Sequence, residues 1–150
     1  MLKPGGRLAI YEWCLTDHYD DSRPEHRKAK ADIEEGNGLP DIATIAERRA
    51  EFESSEFNLL DAFDKTREDP ADLPWYKSLA GRDLSNVGLR RSPVGRKAMS
   101  ALVKGLEFTK VAPKGTFEIQ SFLSRGADAL VYGGESGTFT PMAFFLAEKR

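Results

Sequence analysis

The sequence predicts an α/β fold in the order strand, two helices, strand, helical region, strand. Three observations predict it. Arg7 to Trp13 is a short apolar run launched by a Pro-Gly-Gly turn and closed by turn formers, the pattern of a strand. Two segments with helical spacing and capping signals follow, and then Phe57 to Phe63 alternates loosely as a second strand. A long stretch of helical spacing leads to Thr138 to Glu148, a last strand with Pro141 near its start, where a missing amide is tolerable.

Composition sets the limits on function. With 150 residues and 40% hydrophobic content the chain has the size of one ordinary domain with a real core. Its 22 basic and 24 acidic groups leave a net charge of −2, which gives no electrostatic case for nucleic acid or for a polybasic anchor. The single cysteine, Cys14, excludes an internal disulfide and fits a reducing compartment. No basic residue adjoins it, so it reads as a small buried apolar side chain. No apolar run approaches the ~20 residues of a spanning helix, and the start lacks the basic-then-apolar design of a signal peptide. A protein that is soluble or at most peripheral is expected.

The first strand is expected to be buried and to deliver Tyr11, Glu12 and Trp13 to its carboxyl end, where open α/β sheets bind ligands. A core strand whose acid sits at the edge remains the alternative. Strand alternation puts Tyr11 and Trp13 on one face and Glu12 on the other unless the strand ends or bulges there. Asp17, His18, Asp20 and Asp21 lack any metal-ligand spacing and read as a solvated loop, with Asp21 or Ser22 capping the next helix and Pro24 in its first turn. That helix runs to about Glu35, its charged run Glu25 to Lys28 forming an exposed face.

Gly36-Asn37-Gly38-Leu39-Pro40 ends the helix and is not a dinucleotide fingerprint, because it follows a helix and lacks the third glycine. Thr44 and Glu47 match a capping box. Ile42, Ile45 and Phe52, with the small Ala46 and Ala50, form the stripe of a helix reaching about Glu53. The charged segment Asp64 to Asp72 reads as the boundary of an inserted region. Behind it, Leu73-Pro74-Trp75-Tyr76 is either a hydrophobic plug or one wall of an apolar pocket. Ser92-Pro93 is a helix start, and Val94, Ala98, Met99, Leu102, Val103 and Leu106 then form a stripe of the kind usually found in a core, though a pocket for a large apolar ligand would have the same signature. Ala112 to Thr116 breaks it, and Ile119, Leu123, Ala127, Leu130 and Val131 mark a further helix, with Gly133 and Gly134 expected to terminate it.

Several motifs, taken together, resemble the carboxyl-terminal half of sterol 24-C-methyltransferases. Leu2-Lys-Pro-Gly-Gly-Arg-Leu8 is a turn that class I S-adenosylmethionine-dependent methyltransferases commonly place before their fifth strand. More specific are Ile10-Tyr-Glu-Trp-Cys-Leu-Thr-Asp17, Ile33-Glu-Glu-Gly-Asn-Gly-Leu-Pro-Asp41, Leu73-Pro-Trp-Tyr76, Leu106-Glu-Phe-Thr-Lys-Val-Ala-Pro-Lys-Gly115, Gly133-Gly134 and Phe139-Thr-Pro-Met142, in the family's order. The resemblance implies an α/β fold: the C-terminal part of a class I methyltransferase Rossmann-like sheet with a mostly helical insertion. Residues 1–66 would belong to the methyltransferase domain, 67–137 to the insertion, and 138–150 to the last strand of the sheet.

The activity implied is methyl transfer from S-adenosylmethionine to the C24 side-chain alkene of a sterol such as cycloartenol or zymosterol. Adding a methyl cation equivalent to an alkene leaves a carbocation, which aromatic faces and a nearby carboxylate stabilise. Tyr11, Trp13 and Glu12 supply both, with Thr16, Trp75 and Tyr76 as further substrate contacts. Glu12 or Glu34 would be the base that takes the proton to form the new alkene. The expected setting is cytoplasmic, with peripheral attachment at the endoplasmic reticulum membrane and a homo-oligomer both left open.

Departures from the family pattern qualify these expectations. The glycine-rich loop and ribose-binding acid that hold the cofactor do not occur in this sequence, nor does the family's amino-terminal aromatic motif. Met1 reads as an interior methionine, so the chain is expected to be a fragment that does not bind the cofactor alone. The family's Gly-Asp-Gly is Gly36-Asn37-Gly38 here. Two other readings stay open: a non-catalytic sterol- or lipid-binding module built from Leu73 to Gly137, and methylation of a different isoprenoid acceptor.

Overall fold

In a computed structural model, which describes residues 2–67, 74–80 and 93–150, the chain opens on a type II turn. Pro4 takes the first corner and Gly5 the second at φ 75°, a conformation that favours glycine, and the Gly6 amide donates to the Lys3 carbonyl at 2.9 Å. This turn launches strand β1 (Arg7–Leu15). Strands β2 (Phe57–Asp64) and β3 (Phe139–Lys149) complete a three-stranded sheet in the order β1-β3-β2. β3 is antiparallel to both neighbours, so the last strand of the chain is central and β1 and β2 run parallel on either side of it.

The prediction of a buried first strand holds only for its carboxyl end. Cys14, Leu15 and the following Thr16 are buried, whereas Tyr11 is 55% exposed. Along its length β1 pairs with β3, and among the described residues its other side carries only the bridge of Leu15 to Thr44, where the Leu15 amide donates to the Ala43 carbonyl at 3.0 Å. Pro141 sits inside this central strand because the pairing shifts register between Glu12 and Cys14. Two residues of β3, Pro141 and Met142, oppose the single Trp13, and such a bulge needs no proline amide.

Helix α1 (Pro24–Asn37) starts at Pro24, but neither predicted cap is used. Arg23 is the capping residue and its side chain makes no capping bond. The Asp20 carboxylate instead accepts from the amide and hydroxyl of Ser22 at 2.9 and 2.7 Å, winding the loop before the helix begins. The predicted capping box opens α2 (Ile45–Ser54): Thr44 Oγ1 accepts from the Glu47 amide at 3.1 Å, and the Glu47 carboxylate accepts from the Thr44 amide at 2.7 Å. Ala46 and Ala50 are exposed, so the packed side of α2 is Ile45 and Phe52, not the small residues.

Helices α3 (Pro93–Phe108) and α4 (Thr116–Ser136) form a hairpin. Ser92, the predicted cap of α3, and Leu73 lie outside the described residues. α4 runs through Gly133 and Gly134 and ends at Gly137, contrary to the expected stop. Those two glycines serve close approach. A Cβ on Gly133 would lie 2.8 Å from Phe139 Cβ, and one on Gly134 would lie 2.2 Å from the Tyr76 ring. Farther along, Gly126 meets Gly36 of α1 so closely that a Cβ on Gly36 would sit 2.7 Å from Gly126 Cα. The expectation that the α3 stripe is core is also overturned: Val94, Met99, Leu102 and Leu106 are exposed. α3 packs on α4 by another side, where Gln120 donates to Ser100 at 3.2 Å.

The sheet is sandwiched at the carboxyl end of β1. On one face Leu15, Ile33, Ile42, Ala129 and Phe139 form a core with α1 and α4. On the other, Cys14, Ala143 and Phe145 pack with Ile45 and Phe52 of α2. Each buried Leu, Ile or Phe among them contributes about 1.5–3 kcal/mol. Among the described residues no helix is long and apolar enough to cross a membrane.

Candidate functional site

The chemistry-bearing feature of this sandwich is an aromatic cluster. Trp13 meets Phe139 edge-on, centroids 5.4 Å apart, and Phe139 meets Trp75 at 5.8 Å. Trp75 stands perpendicular to Tyr76 at 5.6 Å. β1 supplies Trp13, the start of β3 supplies Phe139, and the 74–80 turn supplies the other two rings. Gly133 and Gly134 leave the space in which Phe139 and Tyr76 sit. A second aromatic row crosses the same face one step away: Tyr11 lies 5.1 Å from Phe144, which lies 5.0 Å from Phe63.

The other predicted site residues do not join this cluster. Alternation carries Glu12 to the α2 face, with Cys14 and Arg48, and the bulge lies on β3, so it does not turn Glu12 back. There burial, and secondarily the charge of Glu12, push the Cys14 thiol up to about 12, so it stays protonated at neutral pH. Thr16 is buried, and its hydroxyl donates to the Gly137 carbonyl at 2.5 Å and accepts from the His18 amide at 3.2 Å. It pins the end of β1 to the start of β3. The Glu34 carboxylate accepts from the Ile42 amide at 2.7 Å and pairs with Lys30 at 2.9 Å, fixing Ile42 in the core.

Sequence reading joined Trp13 to Trp75 and Tyr76 through the family resemblance, as substrate contacts, and it assigned Phe63 and Phe144 no role. Their signal was the position pairing of the two strands, which cannot be read without the register. His26 was read into an exposed charged run, yet it is buried, its Nδ1 accepting from the Asp20 amide at 3.0 Å and its ring 6.0 Å from Tyr19. Its spacing from Ala29 and Ile33, on one helical face, was the available sign. Among the described residues no cluster suited to a metal occurs. The aromatic wall offers π faces and an apolar, partly water-excluding surface, which is chemistry for a cation or an apolar ligand.

Residues 87–149 match a family model described as the sterol methyltransferase C-terminal region. Over 149 residues, 99% of the chain, the sequence is 39% identical to cycloartenol-C-24-methyltransferase 1 of Oryza sativa subsp. japonica. It is 40% identical to the cycloartenol-C-24-methyltransferase of Arabidopsis thaliana. Against the sterol 24-C-methyltransferase of Saccharomyces cerevisiae it is 38% identical over 156 residues. The chain spans 43%, 44% and 40% of the lengths of these three relatives. A solved structure described as a sarcosine dimethylglycine methyltransferase from Galdieria sulphuraria superposes with a TM-score of 0.53 at 19% identity, covering 99% of this chain and 43% of that one. That likeness shows a shared fold.

Proposed function

We propose, from the premise that this chain belongs to the sterol 24-C-methyltransferase family and carries its carboxyl-terminal part, that its aromatic cluster walls the place where a sterol side-chain alkene accepts a methyl group. By family the methyl donor is S-adenosylmethionine. The described residues do not form a cradle for it. The glycines with left-handed backbone are Gly5, Gly38, Gly115 and Gly137, and none lies in a turn from the carboxyl end of a strand into a helix. The proposal concerns the acceptor.

Methylation of an alkene carbon leaves positive charge on its neighbour, and a π face near that carbon lowers the energy of the transition state leading to it. The observation that carries the reading is the contact series Trp13, Phe139, Trp75, Tyr76 at the carboxyl end of β1. Its rings also exclude the water that would capture a cation. Glu12, on the far side of the sheet, takes no part in this wall. Glu34 acts as a positioning residue, because its carboxylate seats Ile42 beside the rings.

The test uses a chimera in which this chain replaces the matching segment of the Arabidopsis relative. Methyl transfer to cycloartenol is expected to persist. Trp13→Ala removes one desolvated cation–π contact of about 2 kcal/mol, so kcat should fall roughly 30-fold with little change in KM. An unchanged kcat would remove Trp13 from the chemistry. In the isolated chain Trp13 and Trp75 are the only tryptophans, so a saturable change in emission on sterol titration is expected, and a flat response at saturating sterol would overturn the wall itself.

A further inference from the structure

The turn of the α3–α4 hairpin exposes large apolar side chains in a cationic setting. Phe108 is 87% exposed and Val111 is 74% exposed, on either side of the end of α3. Lys104, Phe108, Lys110 and Lys114 line one surface depression between the end of α3 and the start of α4. Within residues 104–117 the sequence holds three lysines and one acid, in a chain whose net charge is −2. The local charge is thus opposite in sign to that of the whole.

The one acid is already engaged. The Glu107 carboxylate accepts from the amides of Gly115 and Phe117 at 2.7 and 3.0 Å, which caps α4 and holds its carboxyl group below the usual range. The turn itself is fixed. The Val111 amide donates to the Leu106 carbonyl at 2.9 Å and the Lys110 amide to the Glu107 carbonyl at 3.1 Å, the two bonds of a Schellman motif. The left-handed position of that motif, usually glycine, is Lys110 at φ 60°. Lys104 extends its ammonium over the Phe117 ring at 5.6 Å. A rigid turn thus presents two apolar side chains ringed by ammonium groups.

We infer that this hairpin turn is a membrane-contact tip, inserting Phe108 and Val111 into the interface of an anionic lipid surface while Lys104, Lys110 and Lys114 meet the headgroups. Apolar insertion and attraction of each lysine to an anionic surface add, and neither alone holds a protein firmly. A protein partner with an acidic rim would offer similar charge. The protruding turn, with its flexible lysine stems around two projecting apolar groups, suits a deformable surface better than a preformed pocket. The inference is independent of the sterol reading and needs no sterol present.

The experiment is flotation of the full chain with vesicles of phosphatidylcholine alone and of equimolar phosphatidylcholine and phosphatidylserine. Binding is expected on the anionic vesicles, weakened by high salt. Lys110→Glu and Lys114→Glu should each weaken it at least roughly fivefold, and Phe108→Asp should abolish it, with circular dichroism unchanged because all three sites are exposed. Phe108→Trp should add blue-shifted emission that brominated lipid quenches. Absence of binding to anionic vesicles overturns the inference. So does binding that survives Phe108→Asp. A change in oligomeric mass by light scattering in these variants, with vesicle binding unaltered, would overturn it in favour of contact between two copies.

Discussion

The two halves of α4 are built on opposite rules. Its carboxyl-terminal half meets α1 and β3 through Gly126, Gly133 and Gly134, and the space those glycines leave is filled by the backbone of Gly36 and the rings of Phe139 and Tyr76. Its amino-terminal half, with α3, carries larger apolar groups, and Leu102, Leu106, Ile119 and Leu123 face outward. Side-chain size therefore does not report burial in this chain. What decides it is whether another element comes close, and close approach requires the smallest residues at the crossing. The aromatic wall stands on the first half and the lysine-ringed turn on the second, so the two proposed roles, contact with an apolar ligand and contact with a surface, are assigned to regions of different packing.

The largest effect should come from emptying the packed half. Phe139 is 3% exposed and touches Trp13, Trp75 and the space above Gly133. Phe139→Ala is expected to cost about 3–5 kcal/mol, because the cavity lies between a strand and a helix that cannot both collapse into it. Urea unfolding followed by circular dichroism reads this as a lower midpoint at constant slope. A loss under about 1 kcal/mol would mean that this half is no more committed than the hairpin, and the contrast would fail.

Next in size is overfilling the same region. A Cβ on Gly126 would stand 3.0 Å from Gly36 Cα, a backbone atom that cannot swing aside as a side chain can. Gly126→Val should cost about 1–3 kcal/mol in the same measurement, despite the better helix propensity of valine over glycine. A stabilised variant would show that α1 and α4 separate freely, and the packing rule proposed for this half would be wrong.

Much of this division was hidden in the sequence for definite reasons. The three strands and the capping box of Thr44 and Glu47 are local patterns, and they were legible. That β3 is central was not, since strand order depends on pairing between distant segments. Gly133 and Gly134 read as stop signals because a glycine needed for close approach looks the same in sequence as one needed for a turn. Apolar spacing in α3 predicted a core face, but periodicity states only which residues share a side, not what covers it. In the candidate site the separation of Glu12 from Tyr11 and Trp13 followed from strand alternation alone. The meeting of Trp13 with Trp75 depends on a turn seated against α4, and no local pattern encodes it.

The smallest effect is the one that tests the hairpin half. Leu102 is 54% exposed, so truncation returns little surface to water that was not already there. Alanine also keeps the best helix propensity, and no cavity forms where there is no enclosing wall. Leu102→Ala should therefore change stability by less than about 0.5 kcal/mol, against the 2–5 kcal/mol typical of a buried leucine. The same urea midpoint measures it, beside Phe139→Ala on one instrument so that the difference between the two is what is read. A cost above about 2 kcal/mol would show that the α3 stripe is covered in solution, and the two halves of α4 would then obey one rule.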